Sequence, residues 1–289
     1  MLLIFDKCAR VKQDKAMSDL QTGNTIIGGI FVEHACPIAT QRQDPILFVH
    51  GGCHGSWCWE NYLPYFARAG WACYALNWYN HYNSECLPKE RFLNRSIADV
   101  TQEIGIVARQ LGRPPILVGH SMGGLAVLKY AEIAPVKALV LLTPGLPAET
   151  GGPGLELALD PAEPFGPPPR DWAKAQFLAT SSEAIVDRYY PLLCPESPRA
   201  VIEATQATLH VNRTRISHPM LVVAVELDQL APAKLVRDLA HYYGADYLFV
   251  PECGHDLMLE PSWQETAARV KDWFECKCVN GDGSNLLTD

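Results

Sequence analysis

The chain has 289 residues, 48% of them hydrophobic, and a formal net charge of −8. Its length and apolar fraction suffice for one elaborated domain with a large core, or two small ones. An acidic chain without runs of Lys or Arg is a poor match for nucleic acid or an anionic membrane surface, so neither is expected as a partner.

Residues 1–24 show no sustained periodicity and are expected as a loosely ordered extension. The opening run Met1–Phe5 is too short for a signal-peptide core, and no later apolar run approaches a membrane span, which predicts a cytoplasmic protein. Thr25–His34 carries β-branched and aromatic residues around Gly28-Gly29 and suits a bent strand or hairpin at a sheet edge. Ile46–His50 is a buried strand that runs into His50-Gly51-Gly52-Cys53-His54-Gly55-Ser56-Trp57-Cys58-Trp59, with residues 57–68 as the crossover helix. Trp71–Asn77 is the next strand, followed by a polar loop through Leu87. Between Arg95 and Leu111, apolar residues at 97, 100, 104, 107, 108 and 111 have helical spacing, and Gly112 and Pro114 stop the helix. Pro115–Val118 is a short apolar strand, and Leu125–Ala131 reads as helix. Further strands are expected at Val136–Leu142, Met220–Val225 and Tyr247–Val250. A helix spans Pro232–Tyr243, opened by proline and closed by Gly244, and the last helix runs from about Ser262 to Cys276 before a polar tail.

Strand and helix alternate almost throughout, which predicts an α/β fold with a mostly parallel central sheet flanked by helices. The core is assigned to 25–145 and 219–278, and the tail to 279–289. Leu146–His218 breaks the rhythm: it has no strand signal, contains Gly151-Gly152-Pro153-Gly154 and the turn-rich Pro161–Pro169, and holds helical stretches near 171–179 and 182–192. It is too long for a loop. We expect a helical cap, 146–218, inserted after the sixth strand over the C-terminal edge of the sheet, where open α/β sheets place ligands.

Gly119-His120-Ser121-Met122-Gly123 lies between a strand and a helix. A Gly-x-Ser-x-Gly in that context is a nucleophile elbow: glycines at 119 and 123 allow a tight turn that lifts the Ser121 hydroxyl clear of the sheet. The helix starting there points unpaired N–H groups at the site, and that of Met122 is one donor for an oxyanion. A serine hydroxyl needs a base, and the base needs an orienting group. Asp228 follows the strand Met220–Val225 and His255 follows the strand ending at Val250, so both fall on loops at the sheet edge that carries Ser121. Glu226 is the rival acid, though its place nearer the strand end turns it away; Asp256 is too close to His255 in sequence to orient it. His50 reads as a brace for its loop and His120 as structural, while His54, His81 and His210 are candidates for lining the site. The cysteines number ten; their only close pairs, Cys276-Lys277-Cys278 and Cys53-x4-Cys58, lack a second Cys/His pair at zinc-ligand spacing. Buried free thiols are expected, with no metal and no cofactor.

These residues together resemble the α/β-hydrolase fold superfamily from about residue 25 to 278. The resemblance implies Ser121, Asp228 and His255 as the catalytic set, and Gly52, after His50-Gly51, as the second oxyanion donor beside Met122. His50-Gly51-x-x-His54-Gly55-x-Trp57-x-Trp59 is further similar to the branch containing plant methyl esterases and hydroxynitrile lyases. The lyases carry a threonine after the first strand histidine and a lysine after the catalytic one; here those positions are Gly51 and Asp256, which disfavours cyanohydrin cleavage. Ser121 excludes the chemistries of this fold that use an aspartate nucleophile. An esterase or lipase-like serine hydrolase, acting as monomer or homodimer on a small ester-type molecule, is the implied function. A slow-turnover receptor on the same fold and lyase-like carbon–carbon cleavage are the alternatives. The cap residues Leu155, Leu157, Leu159, Phe165, Trp172, Phe177, Leu178, Tyr189 and Tyr190 imply a small or medium apolar acyl group.

Overall fold

The computed structural model describes residues 19–279 except 40, 41, 43, 153 and 156. In chain order its elements are β1 (Leu20–Ile27), β2 (Ile30–Pro37), β3 (Ile46–Val49), α1 (Tyr62–Arg68), β4 (Cys73–Leu76), α2 (Lys89–Leu93), α3 (Val100–Gln110), β5 (Ile116–His120), α4 (Met122–Ala131) and β6 (Ala138–Leu142). There follow α5 (Arg170–Phe177), α6 (Glu183–Tyr189), α7 (Pro198–Thr205), β7 (Met220–Val225), α8 (Ala233–Tyr243), β8 (Asp246–Val250) and α9 (Trp263–Phe274).

The strands form one sheet in the order β1-β2-β4-β3-β5-β6-β7-β8, with β1 and β2 antiparallel and everything from β4 to β8 parallel. β3, β5, β6 and β7 are buried at every residue, as parallel strands covered on both faces must be. Successive side chains of β3 divide between two cores: Ile46 and Phe48 pack with α1 and α9, Leu47 and Val49 with α3, α4 and α8. From β3 the chain passes outward to β4, and from β5 it passes the other way through β6, β7 and β8. The reversal leaves a crevice at the C-terminal ends of β3 and β5, where the loops carrying Gly52 and Ser121 meet.

Several boundaries differ from expectation. Leu20–Asn24, assigned to the extension, form the first half of β1, an edge strand whose residues after Leu20 face largely into solvent and so show no apolar alternation. Ile27 pairs with Ile30 across Gly28 and Gly29, whose φ values of 57° and 80° fit the two-residue turn that matches strand twist. The helix expected over 57–68 is divided into a 3-10 turn, Ser56–Trp59, and α1. The helix expected from Arg95 starts as a 3-10 turn, Ile97–Asp99, under a capping box of Ser96 and Asp99. Between β6 and β7 stand α5, α6 and a third helix, α7, capped by Ser197 with Pro198 at its first position. Residues 1–18 of the expected extension and 280–289 of the tail lie outside the described residues. Among the described residues no helix is long and apolar enough to cross a membrane.

Candidate active site

Ser121 has φ 51° and ψ −123°, a conformation that costs a non-glycine residue about 1–3 kcal/mol and persists only where its surroundings hold it. They do so through three backbone bonds: the Ser121 N–H donates to Leu142 O (3.0 Å), and Ser121 O accepts from Gly124 N–H (2.9 Å) and Gly145 N–H (2.8 Å). The flanking glycines are required by close approach. A Cβ on Gly123 would overlap the carbonyl oxygens of Val49 and His50, and one on Gly119 would lie 2.5 Å from Gly123 O.

Asp228 and His255 stand on the loops after the adjacent strands β7 and β8. His255 Nδ1 donates to Asp228 Oδ2 at 2.7 Å, while Asp228 Oδ1 accepts from the N–H groups of Leu230 (2.8 Å) and Ala231 (2.9 Å). Both side chains are buried. Burial works to lower the His255 pKa, but the Asp228 carboxylate, with help from the Asp256 charge, outweighs it and raises the value above 6.5. With Nδ1 committed to Asp228, Nε2 is the nitrogen left for the cavity that His255 shares with Ser121. The His255 carbonyl accepts from His120 Nε2 (3.1 Å) and Thr143 Oγ1 (3.0 Å), which fixes the loop from behind.

That cavity, about 90 Å³, is lined by Ser121, His255, Gly52, Met122, Glu196 and a majority of apolar side chains. Among the expected cap residues Leu155, Leu157, Phe165, Trp172 and Phe177 face it, whereas Leu178, Tyr189 and Tyr190 line a smaller void behind Phe177. No protein acceptor among the described residues takes the N–H of Gly52 or of Met122, the first residue of α4. His50 braces the Gly52 loop: its Nε2 accepts from Trp78 N–H (3.1 Å) and its Nδ1 donates to Gly51 O (2.8 Å), with burial, then the neighbouring His81, driving its pKa well below 6.5.

His54, His81 and His210, considered as lining residues, do not line the cavity. His54 packs against Trp57, donates to Gly52 O (2.7 Å) and meets Asp256 Oδ2 at 2.9 Å. His81 meets Glu196 Oε2 at 2.9 Å, and His210 is exposed beside Glu149 (3.0 Å). Such partners lie far away in sequence, beyond any local pattern. Glu226 accepts from Glu252 N–H (2.8 Å) and does not reach His255. Asp256 is turned into the protein toward His54, its N–H donating to Phe177 O (2.9 Å). Glu196, absent from the sequence reading, lines the cavity; nothing in Cys194-Pro195-Glu196-Ser197-Pro198 marks it beyond the helix start that follows. Among the described residues one group has metal-ligand proximity, His120, His255 and Asp256, with ligand atoms within 4.8 Å of one another. The hydrogen bonds just described use His120 Nε2, His255 Nδ1 and Asp256 Oδ2. The nine cysteines of the described residues are free.

A mostly parallel sheet between two helical layers, with a strained serine where β5 turns into α4, is the α/β-hydrolase fold. The model of the alpha/beta hydrolase family matches residues 46–269, most of the sequence, and the chain belongs to that family. It is 28% identical over 155 residues to Methylesterase 1 of Arabidopsis thaliana, covering 50% of this chain and 54% of that protein. It is 34% identical over 103 residues to Methyl jasmonate esterase 1 of Vitis vinifera (35% and 38%) and 28% over 108 residues to Methylesterase 3 of Arabidopsis thaliana (35% and 38%). The chain thus spans about two fifths to one half of these curated relatives. Among solved structures it is similar to the N-acyl homoserine lactonase AidH, with a TM-score of 0.69 at 17% identity over 90% of this chain and 98% of that one. The monoacylglycerol lipase of Paleococcus ferrophilus gives a TM-score of 0.63 at 20% identity over 88% and 97%. At such identities these neighbours speak for the fold alone.

Proposed function

We propose that the protein is a serine hydrolase that cleaves the carboxylic ester of a small to medium apolar acid through an acyl-enzyme. The observation that carries this reading is the 2.7 Å bond between His255 Nδ1 and Asp228, which leaves Nε2 to the cavity that Ser121 enters from its strained turn. In the mechanism, Ser121 Oγ attacks the ester carbonyl and passes its proton to His255 Nε2. Asp228 holds the imidazole in the tautomer that accepts that proton and stabilises the imidazolium formed. The oxygen that gains negative charge sits against the N–H groups of Gly52 and Met122. His255 then protonates the departing alcohol, and water, activated by the same imidazole, releases the acid.

The segment 146–218 acts as the cap that selects the acyl group. Its side chains make the cavity apolar, and about 90 Å³ suits a short chain of several heavy atoms. The similarity to proteins named methylesterases favours a small alcohol group, with methyl esters first to be tested. Cyanohydrin cleavage is disfavoured because the position after His255 holds a carboxylate, and Asp256 points away from the cavity toward His54.

The test is labelling with a serine-directed fluorophosphonate, with the adduct located by peptide mass spectrometry. We expect it on Ser121, with hydrolysis of short nitrophenyl and methyl esters lost in proportion. Labelling at another residue, or none on folded protein, overturns the assignment.

A further inference from the structure

Glu196 is buried at 1% exposure yet lines the cavity, and its carboxylate is bound on both oxygens. Oε1 accepts from Ser197 N–H (2.8 Å); Oε2 accepts from His81 Nε2–H (2.9 Å) and from Cys53 N–H (3.3 Å). Cys53 directly follows Gly52 and has φ 62°, a left-handed conformation that a side-chain-bearing residue adopts only under constraint. The constraint comes from the insertion between β6 and β7: Cys194 N–H donates to Cys53 O (2.9 Å) while the Glu196 carboxylate takes the Cys53 N–H. Glu196 is itself bridged to a cavity wall, its N–H donating to Phe165 O (2.8 Å) and its carbonyl accepting from Phe165 N–H (2.9 Å). An acyl chain resting on Phe165 therefore bears on the same short bridge that fixes the loop of Gly52.

A bare carboxylate here would oppose negative charge developing at Gly52. His81 answers that charge, since its two ring nitrogens face Glu196 Oε2 and Tyr79 O (3.0 Å), both acceptors, and so each carries a proton. Burial favours neutral forms of both partners, but the mutual attraction raises the His81 pKa well above 6.5 and lowers that of Glu196 below 4.5. Around the pair stand the Cys194 and Cys53 thiols, His50, Arg95 and, beyond His81, Glu103.

We propose that Glu196 is a positioning residue for the oxyanion-binding loop, holding Cys53 in its left-handed conformation so that the Gly52 N–H faces the reacting carbonyl, and thereby coupling the acyl-binding wall at Phe165 to that donor. The proposal rests on the reading of Gly52 as an oxyanion donor. Misplacing a donor costs less than deleting one. Glu196→Met, which removes the acceptor at similar length, should lower kcat for a nitrophenyl ester by about 10–100-fold with KM within about threefold. Rates are taken per fluorophosphonate-titrated site, so unfolded protein does not count. A trifluoromethyl ketone, whose adduct on Ser121 carries an oxyanion, should lose affinity by a similar factor, while the alcohol of the same skeleton binds as before. Glu196→Gln, which keeps an oxygen for the Cys53 N–H, should retain more than a third of kcat. Because Glu196→Met strands the His81 charge, it is also made with His81→Gln, and the kcat loss should persist in the double variant. Equal weakening of ketone and alcohol, a Gln variant as damaged as Met, or recovery of kcat in the double variant overturns the positioning role. Wild-type protein that labels at Ser121 and hydrolyses esters, with Glu196→Met at full kcat, overturns this proposal alone; wild-type protein that does not label at Ser121 removes the hydrolase reading and this one with it.

Discussion

Replacing Asp228 with asparagine tests how His255 is held, because the structure decides which way the new amide must point. Asp228 Oδ1 accepts from the Leu230 and Ala231 N–H groups, and Oδ2 from His255 Nδ1–H. If the amide oxygen turned to His255, its NH2 would face two backbone donors, that of Ala231 buried and that of Leu230 partly so, and leave both unpaired, at about 1–3 kcal/mol for the buried one. The oxygen therefore stays with Leu230 and Ala231, and the NH2 faces Nδ1. Nδ1 must then accept, so the ring proton moves to Nε2, the nitrogen that should receive the proton of Ser121. The wrong tautomer costs about 10⁴ in kcat in the best-studied triad, and at 1.36 kcal/mol per decade this is about 5.5 kcal/mol of barrier. The assay is the initial rate on nitrophenyl acetate, using protein whose melting temperature shows that it is folded. Glu226→Gln, at a side chain bonded to Glu252 N–H, serves as control and should change the rate less than about threefold. A folded Asp228→Asn enzyme within tenfold of wild type, or a Glu226→Gln enzyme that is the more damaged, would refute the reasoning.

Gly123→Ala drives a methyl group into the carbonyl oxygens of Val49 and His50 and should cost about 3 kcal/mol or more, read as a shift in the urea midpoint. Gly112→Ala, at φ 72° with nothing within 4 Å, should cost only the left-handed backbone strain of about 1–2 kcal/mol; equal midpoints for the two would contradict the steric account. In the proposed mechanism the neutral form of His255 is the base, and its pKa lies above 6.5, so kcat/KM should rise with pH through an inflection above that value. Asp256→Asn should move the inflection down, and an inflection that stays put in this variant would remove Asp256 from the account. Trp172→Ala, at a half-buried residue of the cavity wall, should shift preference among nitrophenyl esters from acetate toward longer acyl chains with little change in melting temperature. A collapsed melting temperature with unchanged preference would mean that Trp172 holds the fold and not the substrate.

Local geometry written in contiguous residues was legible from the sequence. The run from Pro115 to Ala131 contains strand, tight turn and helix within itself, so the conformation of Ser121 follows from local sterics. Asp228 and His255 were placed by topology, since each ends a parallel strand at the same sheet edge. What escaped either faced solvent, sat among turns or depended on partners far along the chain. β1 shows no alternation because its residues after Leu20 face solvent, and α2 has a single buried residue, Phe92. The start of α7 did carry a signal, Ser197 before Pro198, but it sat inside a segment dominated by turns. His54 and His81 look like cavity residues in a list of histidines; Asp256 and Glu196, more than a hundred positions away, turn them aside.

The long insertion between β6 and β7 divides the chain into two parts that share one sheet. Everything before it, β1 to β6, carries Ser121 with Gly52 and Met122, and everything after it, β7 to β8 and α9, carries Asp228 and His255. Across that division runs the ladder from Leu139–Leu142 to Met220–Val223, between strands buried at every residue. A chain break between Gly154 and Leu155, both exposed, would sever the polypeptide between these two halves. The two fragments would be held as one particle by their shared sheet and by the bonds of Cys194 and Glu196 to Cys53, not by continuity of the backbone.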